Sequence, residues 1–435
     1  MHSSNTLIRY LTDVFLDDNI RHKDITLPRN NGYDTNRDQE DAMNLNETPS
    51  GERIHIGFFG SRNAGKSSLV NKITGQRLSV VSPEKGTTTD PVYKAMELLP
   101  LGPVMIIDTP GYDDSGELGQ LRVEKTLEIL GRTDIAVLVI DASSGISDSD
   151  RQLSDLFREH HIPYVTVLNK SDISPESPCP NGWLTVSALT GEGVIQLKER
   201  LAAMAPADQS EKHLVADLLS PMDAVILVVP IDESAPKGRL ILPQQQVIRD
   251  ALEAGALVTV TRETELAEAL SNSSKKPALV ITDSQAFHQA AAIVPDDIPL
   301  TSFSILMARY KGFLDAAMNG ITAVEGLSDG DKVLIAEGCT HHRQCNDIGT
   351  VKIPRWLKAH SGRELIIDTC SGREFPSDLS SYSLVIHCGG CMLNEREVQR
   401  RLRSAVDQGV PFINYGIFIA YINGILDRSV APVYR

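Results

Sequence analysis

The segment GSRNAGKSS at residues 60–68 constrains the fold of this chain more than any other feature. It fits the pattern G-x-x-x-x-G-K-[ST], follows the apolar run RIHIGFF and precedes the helical pattern SLVNKITG. Such a loop turns backbone amides towards phosphate groups when it lies between a strand and the start of a helix. The segment therefore predicts a phosphate-binding loop (P-loop) at the end of a strand in a helix-covered sheet.

Beyond the P-loop, β-branched apolar runs continue to alternate with helical patterns. This alternation predicts an α/β protein with mostly parallel sheets. The P-loop domain is expected over residues 43–204, a linker over 205–213, and two further α/β domains over 214–300 and 301–435. Residues 1–42 are polar and turn-rich, and are expected to form a disordered extension.

Net charge and hydropathy limit the possible partners. The chain has 435 residues, with 42 Lys and Arg against 57 Asp and Glu, and a formal net charge of -15. Such a charge repels nucleic acid and anionic membranes unless a basic patch overrides it, and no such patch stands out. The longest apolar runs are far shorter than the roughly 20 residues of a membrane-spanning helix, and no signal-peptide pattern opens the chain. We therefore expect a cytoplasmic protein that binds neither nucleic acid nor membranes.

The P-loop and a second motif supply the residue types that bind phosphates and magnesium. Lys66 is expected to neutralise the β- and γ-phosphate oxygens, and the Ser67 hydroxyl to ligate Mg2+. The second motif is DTPG at 108–111, which follows the apolar run VMII. Here Asp108 can hold Mg2+ through water, and the Gly111 amide can sense the γ-phosphate.

Two later motifs favour guanine as the base. NKSD at 169–172 offers Asp172 to the N1 and N2 donors of guanine. Adenine lacks the 2-amino donor and would leave a carboxylate under-satisfied, so the motif favours GTP over ATP. SAL at 187–189 follows the run WLTV and would supply a backbone amide to guanine O6.

These four motifs together resemble the GTPase group that includes the tRNA-modifying and ribosome-assembly GTPases. In that group GTTTD at 86–90 resembles the first switch, and Thr88 takes the position of its Mg2+-binding threonine. Asn63 occupies the P-loop position that binds K+ in potassium-dependent members. Tyr112 stands where Ras-like enzymes keep a water-orienting glutamine. Without that glutamine or an arginine finger, worth about three to five powers of ten where present, hydrolysis is expected to be slow and stimulated by K+.

The predicted nucleotide site can be stated residue by residue. Its catalytic residues are expected to be Lys66, Thr88, Asp108 and Gly111. Its GTP-binding residues are expected to be Asn63, Ala64, Gly65, Lys66, Ser67, Ser68, Asp108, Thr109, Pro110, Gly111, Asn169, Lys170, Asp172, Ser187, Ala188 and Leu189. Mg2+ is assigned to Ser67 and Thr88, and K+ to Asn63.

A second group of candidate ligands lies near the C-terminus. EGCTHHRQC at 337–345 and VIHCGGC at 385–391 each contain or follow an apolar strand-like run, and parallel strands bring their carboxyl ends to one sheet edge. The candidate ligands are Cys339, His341, His387, Cys388 and Cys391. They suit either tetrahedral zinc, slightly favoured on chemistry alone, or an iron-sulfur cluster, and their spacing does not decide between the two. Packing or incidental roles are the simpler interpretation for Cys179, Cys345 and Cys370.

The GTPase motifs, the βα middle region and the C-terminal Cys-x-His and His-Cys-x-x-Cys motifs, with GTVKIPRWL at 349–357 between these two, resemble the HydF family of FeFe-hydrogenase maturation GTPases. The resemblance runs from about Met43 to the C-terminus. It implies a scaffold that forms a homodimer through the middle domain. It also implies that this scaffold receives a diiron precursor from two radical-SAM maturases and passes it to apo FeFe-hydrogenase.

For the C-terminal ligands, the resemblance implies a 4Fe-4S cluster held by three cysteines, which map to Cys339, Cys388 and Cys391. His341 and His387 are nearby candidates for the fourth iron position. Three thiolates leave one iron with an exchangeable position, which suits a carrier better than a saturated cluster does. The alternative is an RNA- or ribosome-directed GTPase with a structural zinc site, and the net charge of -15 argues against it.

Overall fold

The computed structural model describes residues 48–75, 91–112, 117–205, 212–231, 240–339, 347–372 and 374–434. The predicted extension at 1–42, the predicted switch residue Thr88 and the candidate ligand His341 lie outside these ranges. No helix in the described ranges has the length and apolar character needed to span a membrane. The described residues from Thr48 onward belong to one compact unit that contains three sheets.

The first sheet carries the P-loop. Its strands are β1 (Ile54–Phe59), β2 (Val92–Leu98), β3 (Gly102–Asp108), β4 (Ile135–Asp141), β5 (Tyr164–Asn169) and β6 (Leu184–Thr185). They lie in the order β2-β3-β1-β4-β5-β6, and among them only the β2–β3 pair is antiparallel. Its helices are α1 (Lys66–Thr74), α2 (Glu117–Leu130), α3 (Asp148–Glu159) and α4 (Val194–Ala203). Every residue of β1 is buried, which explains its continuous apolar run, because both faces of the sheet are covered.

The second sheet is a four-stranded parallel sheet. Its strands are β7 (Ala224–Val228), β8 (Leu257–Thr261), β9 (Leu279–Thr282) and β10 (Leu300–Ser302). The order β10-β9-β7-β8 places β8 at an edge. Its helices are α5 (Leu242–Glu253), α6 (Leu266–Asn272) and α7 (Phe287–Ile293). The domain boundary predicted between residues 300 and 301 falls inside β10.

The third sheet carries the cysteine motifs. Its strands are β11 (Lys332–Ala336), β12 (Ile366–Cys370), β13 (Leu384–His387) and β14 (Phe412–Asn414), all parallel in the order β12-β11-β13-β14. Its helices are α8 (Phe303–Tyr310), α9 (Leu314–Gly320), α10 (Ile353–Ser361), α11 (Glu395–Asp407), α12 (Tyr415–Ile422) and α13 (Leu426–Val430). The predicted α/β class with mostly parallel sheets is confirmed.

The second and third sheets share one continuous hydrophobic core, whereas the first sheet has cores of its own. Helix α8 helps to join the two sheets because it is apolar on more than one side. Phe303, Ile305, Leu306 and Met307 are all buried along it. A helix that is apolar nearly all round has to be covered on several faces, and here both sheets supply the cover.

Candidate nucleotide and thiol sites

The P-loop closes around its own lysine. Lys66 is buried, and its Nζ donates hydrogen bonds of 2.9 Å to the carbonyl oxygens of Gly60 and Ser61. Gly65 has a φ of 90°, and a Cβ there would lie 2.2 Å from Nδ2 of Asn169. Glycine is required at this position because no other side chain fits the contact or the backbone conformation. Phosphate oxygens can replace the two carbonyls as partners of the ammonium group.

Asp108 ends β3 beside the P-loop, and its position fits a cation. Its side chain is 1% exposed, and neither carboxylate oxygen has a hydrogen-bond partner among the described residues. A buried carboxylate without a partner is costly, and a divalent cation with oxygen ligands removes that cost. Asp108 and Ser67 at the start of α1 therefore fit Mg2+.

The DTPG segment is packed directly against the P-loop. The Thr109 hydroxyl donates to the Phe58 carbonyl at 2.6 Å, and the Tyr112 amide donates to the Gly60 carbonyl at 3.2 Å. A Cβ on Gly111 would lie 2.9 Å from Cα of Arg62. The DTPG segment is therefore in direct contact with the P-loop backbone.

The two base-binding motifs are joined by side-chain hydrogen bonds. Asn169 Nδ2 donates to the Ala64 carbonyl at 2.9 Å, and Asn169 Oδ1 accepts the Ala188 amide at 3.1 Å. The Ser187 hydroxyl donates to Asp172 Oδ1 at 2.6 Å. Asn169 thus links the P-loop to the SAL segment, and Ser187 orients the carboxylate that is expected to meet guanine.

Lys170 takes a left-handed conformation with a φ of 68°, and its Nζ lies 2.5 Å from Oδ2 of Asp141. Burial raises the pKa of Asp141, but hydrogen bonds from Lys170 and Ser143 more than offset this and leave the pKa lowered.

Leu189 has a side chain that is 78% exposed. We call the P-loop and the segments 108–111, 169–172 and 187–189 the nucleotide edge. The remaining predicted members are placed with it: Pro110 is buried, Ser68 is half-buried and Asn63 is exposed with a φ of 62°.

Sequence reasoning missed one carboxylate at this edge. Asp150 in α3 is 2% exposed and accepts the Ser61 amide at 3.3 Å and the Ser61 hydroxyl at 2.8 Å. Its other oxygen accepts the amide and hydroxyl of Ser147 in a capping box. The pattern S-x-x-D at 147–150 indicates a helix cap, but not the contact with the P-loop.

The cysteine motifs meet at the carboxyl edge of the third sheet. Ala336 of β11 pairs with Cys370 on one side and with His387 on the other. The Gly338 amide donates to Cys388 Sγ at 3.0 Å, and the Gly372 amide donates to the Cys339 carbonyl at 3.2 Å. The structure therefore brings together segments 337–339, 370–372 and 387–391, which we call the thiol edge.

Burial and backbone amides act in opposite directions on the thiols of the thiol edge. Burial raises the pKa of Cys391 to about 12 and also raises the pKa of Cys388. The Gly338 and Gly390 amides, at 3.0 and 3.3 Å from Cys388 Sγ, act in the opposite direction. Such N–H donors tune thiolates that hold iron-sulfur clusters, so the donor set fits a cluster. Among the described residues, no three His, Cys, Asp or Glu side chains are grouped to hold one metal ion.

His387 is engaged on both ring nitrogens. Its side chain is fully buried, with Nδ1 at 2.7 Å from the Cys388 carbonyl and Nε2 at 3.3 Å from a guanidinium nitrogen of Arg401. Burial, followed by the charge of Arg401, lowers the pKa of His387 to about 3, so the ring is neutral. Because Arg401 can only donate, Nδ1 carries the proton. Iron ligation by His387 stays a prediction, and it would require one of these contacts to break.

Sequence reasoning also missed a buried ion pair behind the thiol edge. Arg401 of α11 is 0% exposed, and its Nε donates to Glu397 Oε1 at 2.9 Å while another guanidinium nitrogen donates to the Gly372 carbonyl at 2.7 Å. Burial alone would raise the pKa of Glu397, but Arg400, Arg401 and Arg132 hold it at about 2. The segment EREVQRRLRSAVD has the composition of a solvated helix, so no local signal marked this pair.

Comparison with protein families separates the same three regions. Residues 55–170 match the model of the 50S ribosome-binding GTPases. Residues 214–312 match the model of the hydrogen maturase F dimerization domain, and residues 315–432 match that of the hydrogen maturase F tetramerization domain.

Curated proteins similar to this chain include three GTPases. The tRNA modification GTPase MnmE of Dechloromonas aromatica (strain RCB) is 30% identical over 169 residues, which is 38% of this chain and 37% of that protein. GTPase Der of Wolinella succinogenes is 32% identical over 186 residues, 39% of each chain. GTPase Era of Synechocystis sp. is 25% identical over 292 residues, 61% of this chain and 91% of that protein. The chain thus spans little more than a third of the length of MnmE and Der.

Proposed function

This chain belongs to the hydrogen maturase F (HydF) family, and on that premise we propose that it is a GTP-hydrolysing scaffold of FeFe-hydrogenase maturation. In this proposal it holds a 4Fe-4S cluster, receives a diiron precursor from two radical-SAM maturases and delivers it to apo FeFe-hydrogenase in the cytoplasm. The observation that carries the proposal is the meeting of segments 337–339 and 387–391 at one sheet edge. The same chain bears the P-loop and the three other GTPase motifs.

Lys66 and Asp108 would carry the chemistry at the nucleotide edge. The Lys66 ammonium would leave the carbonyls of Gly60 and Ser61 and neutralise the phosphate oxygens. Asp108 and Ser67 would hold Mg2+, which supplies charge stabilisation to the phosphates when it is bound.

Hydrolysis at this site would be slow. Tyr112 is buried, and its amide bonds to Gly60, so the side chain that follows DTPG cannot position water as a glutamine does. Asn63 is exposed in the P-loop and offers its amide oxygen to K+. Binding of GTP would then act mainly as a signal to partners, transmitted by the DTPG segment that packs on the P-loop.

Cys339, Cys388 and Cys391 would hold the cluster at the thiol edge. When bound, the cluster supplies an iron with an exchangeable coordination position. The protein side is preorganised: the Gly338 and Gly390 amides hold the Cys388 sulfur. Arg401 fixes the turn at Gly372 through its carbonyl.

The middle domain would form the homodimer through β8. This strand lies at the edge of its sheet and exposes Leu257 and Val260, which are 48% and 46% exposed. An apolar edge strand readily pairs with another copy. We expect Val260→Lys to convert dimer to monomer in light scattering, and Ile195→Lys on exposed α4 to leave the dimer intact. A dimer in both variants would place the interface elsewhere.

Anaerobic reconstitution tests the scaffold proposal. Iron and sulfide are measured on the wild type, on Cys388→Ser and on the control Cys179→Ser, whose thiol is exposed and lies in the GTPase region. We expect a brown protein for the wild type and the control, with iron and hydrogenase activation lost in Cys388→Ser. A colourless, zinc-loaded wild type would instead favour the RNA-directed alternative.

A further inference from the structure

Lys311 is a buried lysine that belongs to none of the motifs. It follows α8, its side chain is 2% exposed, and its Nζ donates to the Gly51 carbonyl at 3.1 Å. Its own carbonyl accepts the Gln399 amide at 2.6 Å from α11. Burial of an ammonium group lowers the stability of the fold unless its charge is compensated. We therefore expect a functional reason for this lysine.

The ammonium lies where the thiol edge meets the GTPase region. Gly51 is buried in the turn before β1, and a Cβ there would lie 2.6 Å from the Cys391 carbonyl and 2.7 Å from the Leu393 carbonyl. The turn that accepts the Lys311 hydrogen bond is therefore packed on residues 387–394, which we call the cysteine segment. Asn394 adds a second contact with the GTPase region, because its Nδ2 donates to the Arg132 carbonyl at 2.9 Å.

Geometry places the Lys311 side chain beside the segment that carries Cys391. Its Nζ donates to the Gly51 carbonyl, and Gly51 packs against the Cys391 carbonyl. Burial lowers the pKa of Lys311, and the nearby carboxylates of Glu52 and Glu395 act in the opposite direction. When protonated, Lys311 is thus a positive charge close to one of the three expected cluster ligands.

We propose that Lys311 is a positioning residue that sets the reduction potential of the cluster held at Cys391. The inference rests on the proposed function, because it needs a cluster at the thiol edge. A positive charge in a region of low dielectric stabilises the more negative, reduced form of a cluster, so Lys311 raises the potential. Because a carbonyl of the GTPase region holds the ammonium, this potential also depends on the contact between Gly51 and the cysteine segment.

Redox titration of the reconstituted full-length chain, followed by electron paramagnetic resonance, tests this inference. Lys311→Met removes the charge, and Lys311→Gln removes the charge but keeps a donor for the Gly51 carbonyl. We expect both variants to have a more negative midpoint potential than the wild type at equal iron content. The control is Lys358→Met, at an exposed lysine of α10 that is paired with Glu364, and its potential is expected to stay unchanged.

The two charge-removing variants separate a structural role from an electrostatic one. Lys311→Gln keeps a hydrogen-bond donor for the Gly51 carbonyl, so it remains informative if Lys311→Met fails to fold. A wild-type potential in Lys311→Gln would overturn the inference. A wild-type chain that takes up no cluster would instead refute the proposed function.

Discussion

The nucleotide edge and the thiol edge are both carboxyl edges of parallel sheets, but their support differs. At the nucleotide edge, the polar groups come from short contiguous motifs, and many of their hydrogen bonds are made to the backbone. Lys66, for example, donates to the carbonyl oxygens of Gly60 and Ser61. At the thiol edge, half-buried thiols are backed by fully buried side chains from distant segments, such as Lys311 and Arg401. A site made of backbone groups can be specified by a short stretch of sequence. A site whose electrostatics depend on buried charged side chains requires the assembled core.

The two edges are also placed at opposite ends of the GTPase sheet. The cysteine segment reaches that sheet at the amino end of β1, through Gly51 and Asn394. The P-loop begins at the carboxyl end of the same strand. Six residues of strand separate the two ends by about 20 Å. Strand β1 therefore connects the P-loop directly to the turn that packs on the Cys391 and Leu393 carbonyls.

The largest expected effect tests whether the nucleotide edge is independent of the thiol edge. Asp172→Asn presents an amide to the two guanine donors, and a mismatch of this kind costs on the order of 10⁴-fold in discrimination. We expect GTP affinity, measured by fluorescent nucleotide titration, to fall by about that factor while iron content is unchanged. Glu176→Gln, at an exposed position in the same loop, is the control. Unaltered GTP affinity in Asp172→Asn would contradict the assignment of the base site.

The next effect tests the buried support of the thiol edge. Glu397→Gln leaves Arg401 buried without its anionic partner, which costs about 3–5 kcal/mol in the free energy of unfolding. Denaturant titration measures this loss against that of Glu253→Gln, which breaks the exposed Arg249–Glu253 pair at the same i,i+4 spacing. The exposed pair is expected to be worth less than about 1 kcal/mol. Equal losses in the two variants would show that burial does not matter here.

The lowered pKa of Glu397 predicts that the free energy of unfolding decreases at acid pH. The pKa of Glu397 is about 2 in the folded chain against its ordinary value of 4.5, so the folded state binds this proton less readily than the unfolded state does. Its contribution, about 3 kcal/mol, is present above pH 4.5 and is lost as the pH falls from 4.5 towards 2. The stability difference between wild type and Glu397→Gln should shrink over this window. A constant difference would contradict the assigned pKa.

A smaller effect tests the contact that joins the two regions. Gly51→Ala forces a methyl group against the Cys391 and Leu393 carbonyls, and overpacking of this kind costs about 1–3 kcal/mol. Thermal unfolding is expected to shift downward. Gly326→Ala is the control, because a methyl group there meets no atom within 4 Å. Gly75→Ala is unsuitable, because its φ of 68° would strain alanine. Equal stability of Gly51→Ala and Gly326→Ala would argue against close docking.

The smallest effect concerns K+ at the nucleotide edge. An amide ligand worth about 1 kcal/mol corresponds to a roughly fivefold faster GTPase rate in K+ than in Na+. Asn63→Gly tolerates the φ of 62° and removes the amide, so it should abolish the difference between the two salts. Equal rates in K+ and Na+ for the wild type would contradict the role of Asn63.

Sequence reasoning placed motifs correctly where they consist of neighbours in the chain that follow a strand. The P-loop, DTPG, NKSD and SAL segments all follow strands, and the structure gathers them at one edge. It was less complete where a charged residue serves a distant segment. Asp150 was hidden in a helix cap, and Arg401 in a helix whose composition suits solvent exposure.

The amino-acid sequence alone determined the α/β class and the guanine-nucleotide motifs, and it supplied the cysteines that are candidate ligands near the C-terminus. It could do so because strand and helix periodicity, P-loop turns and cysteine spacing are local properties. Tertiary structure alone decided that Lys311, Arg401 and Glu397 surround the thiol edge, that His387 has both nitrogens engaged, and that the cysteine segment contacts the amino end of β1. These contacts depend on which surfaces are buried against each other. Local sequence does not specify this, because the surfaces meet only when distant segments pack into one core.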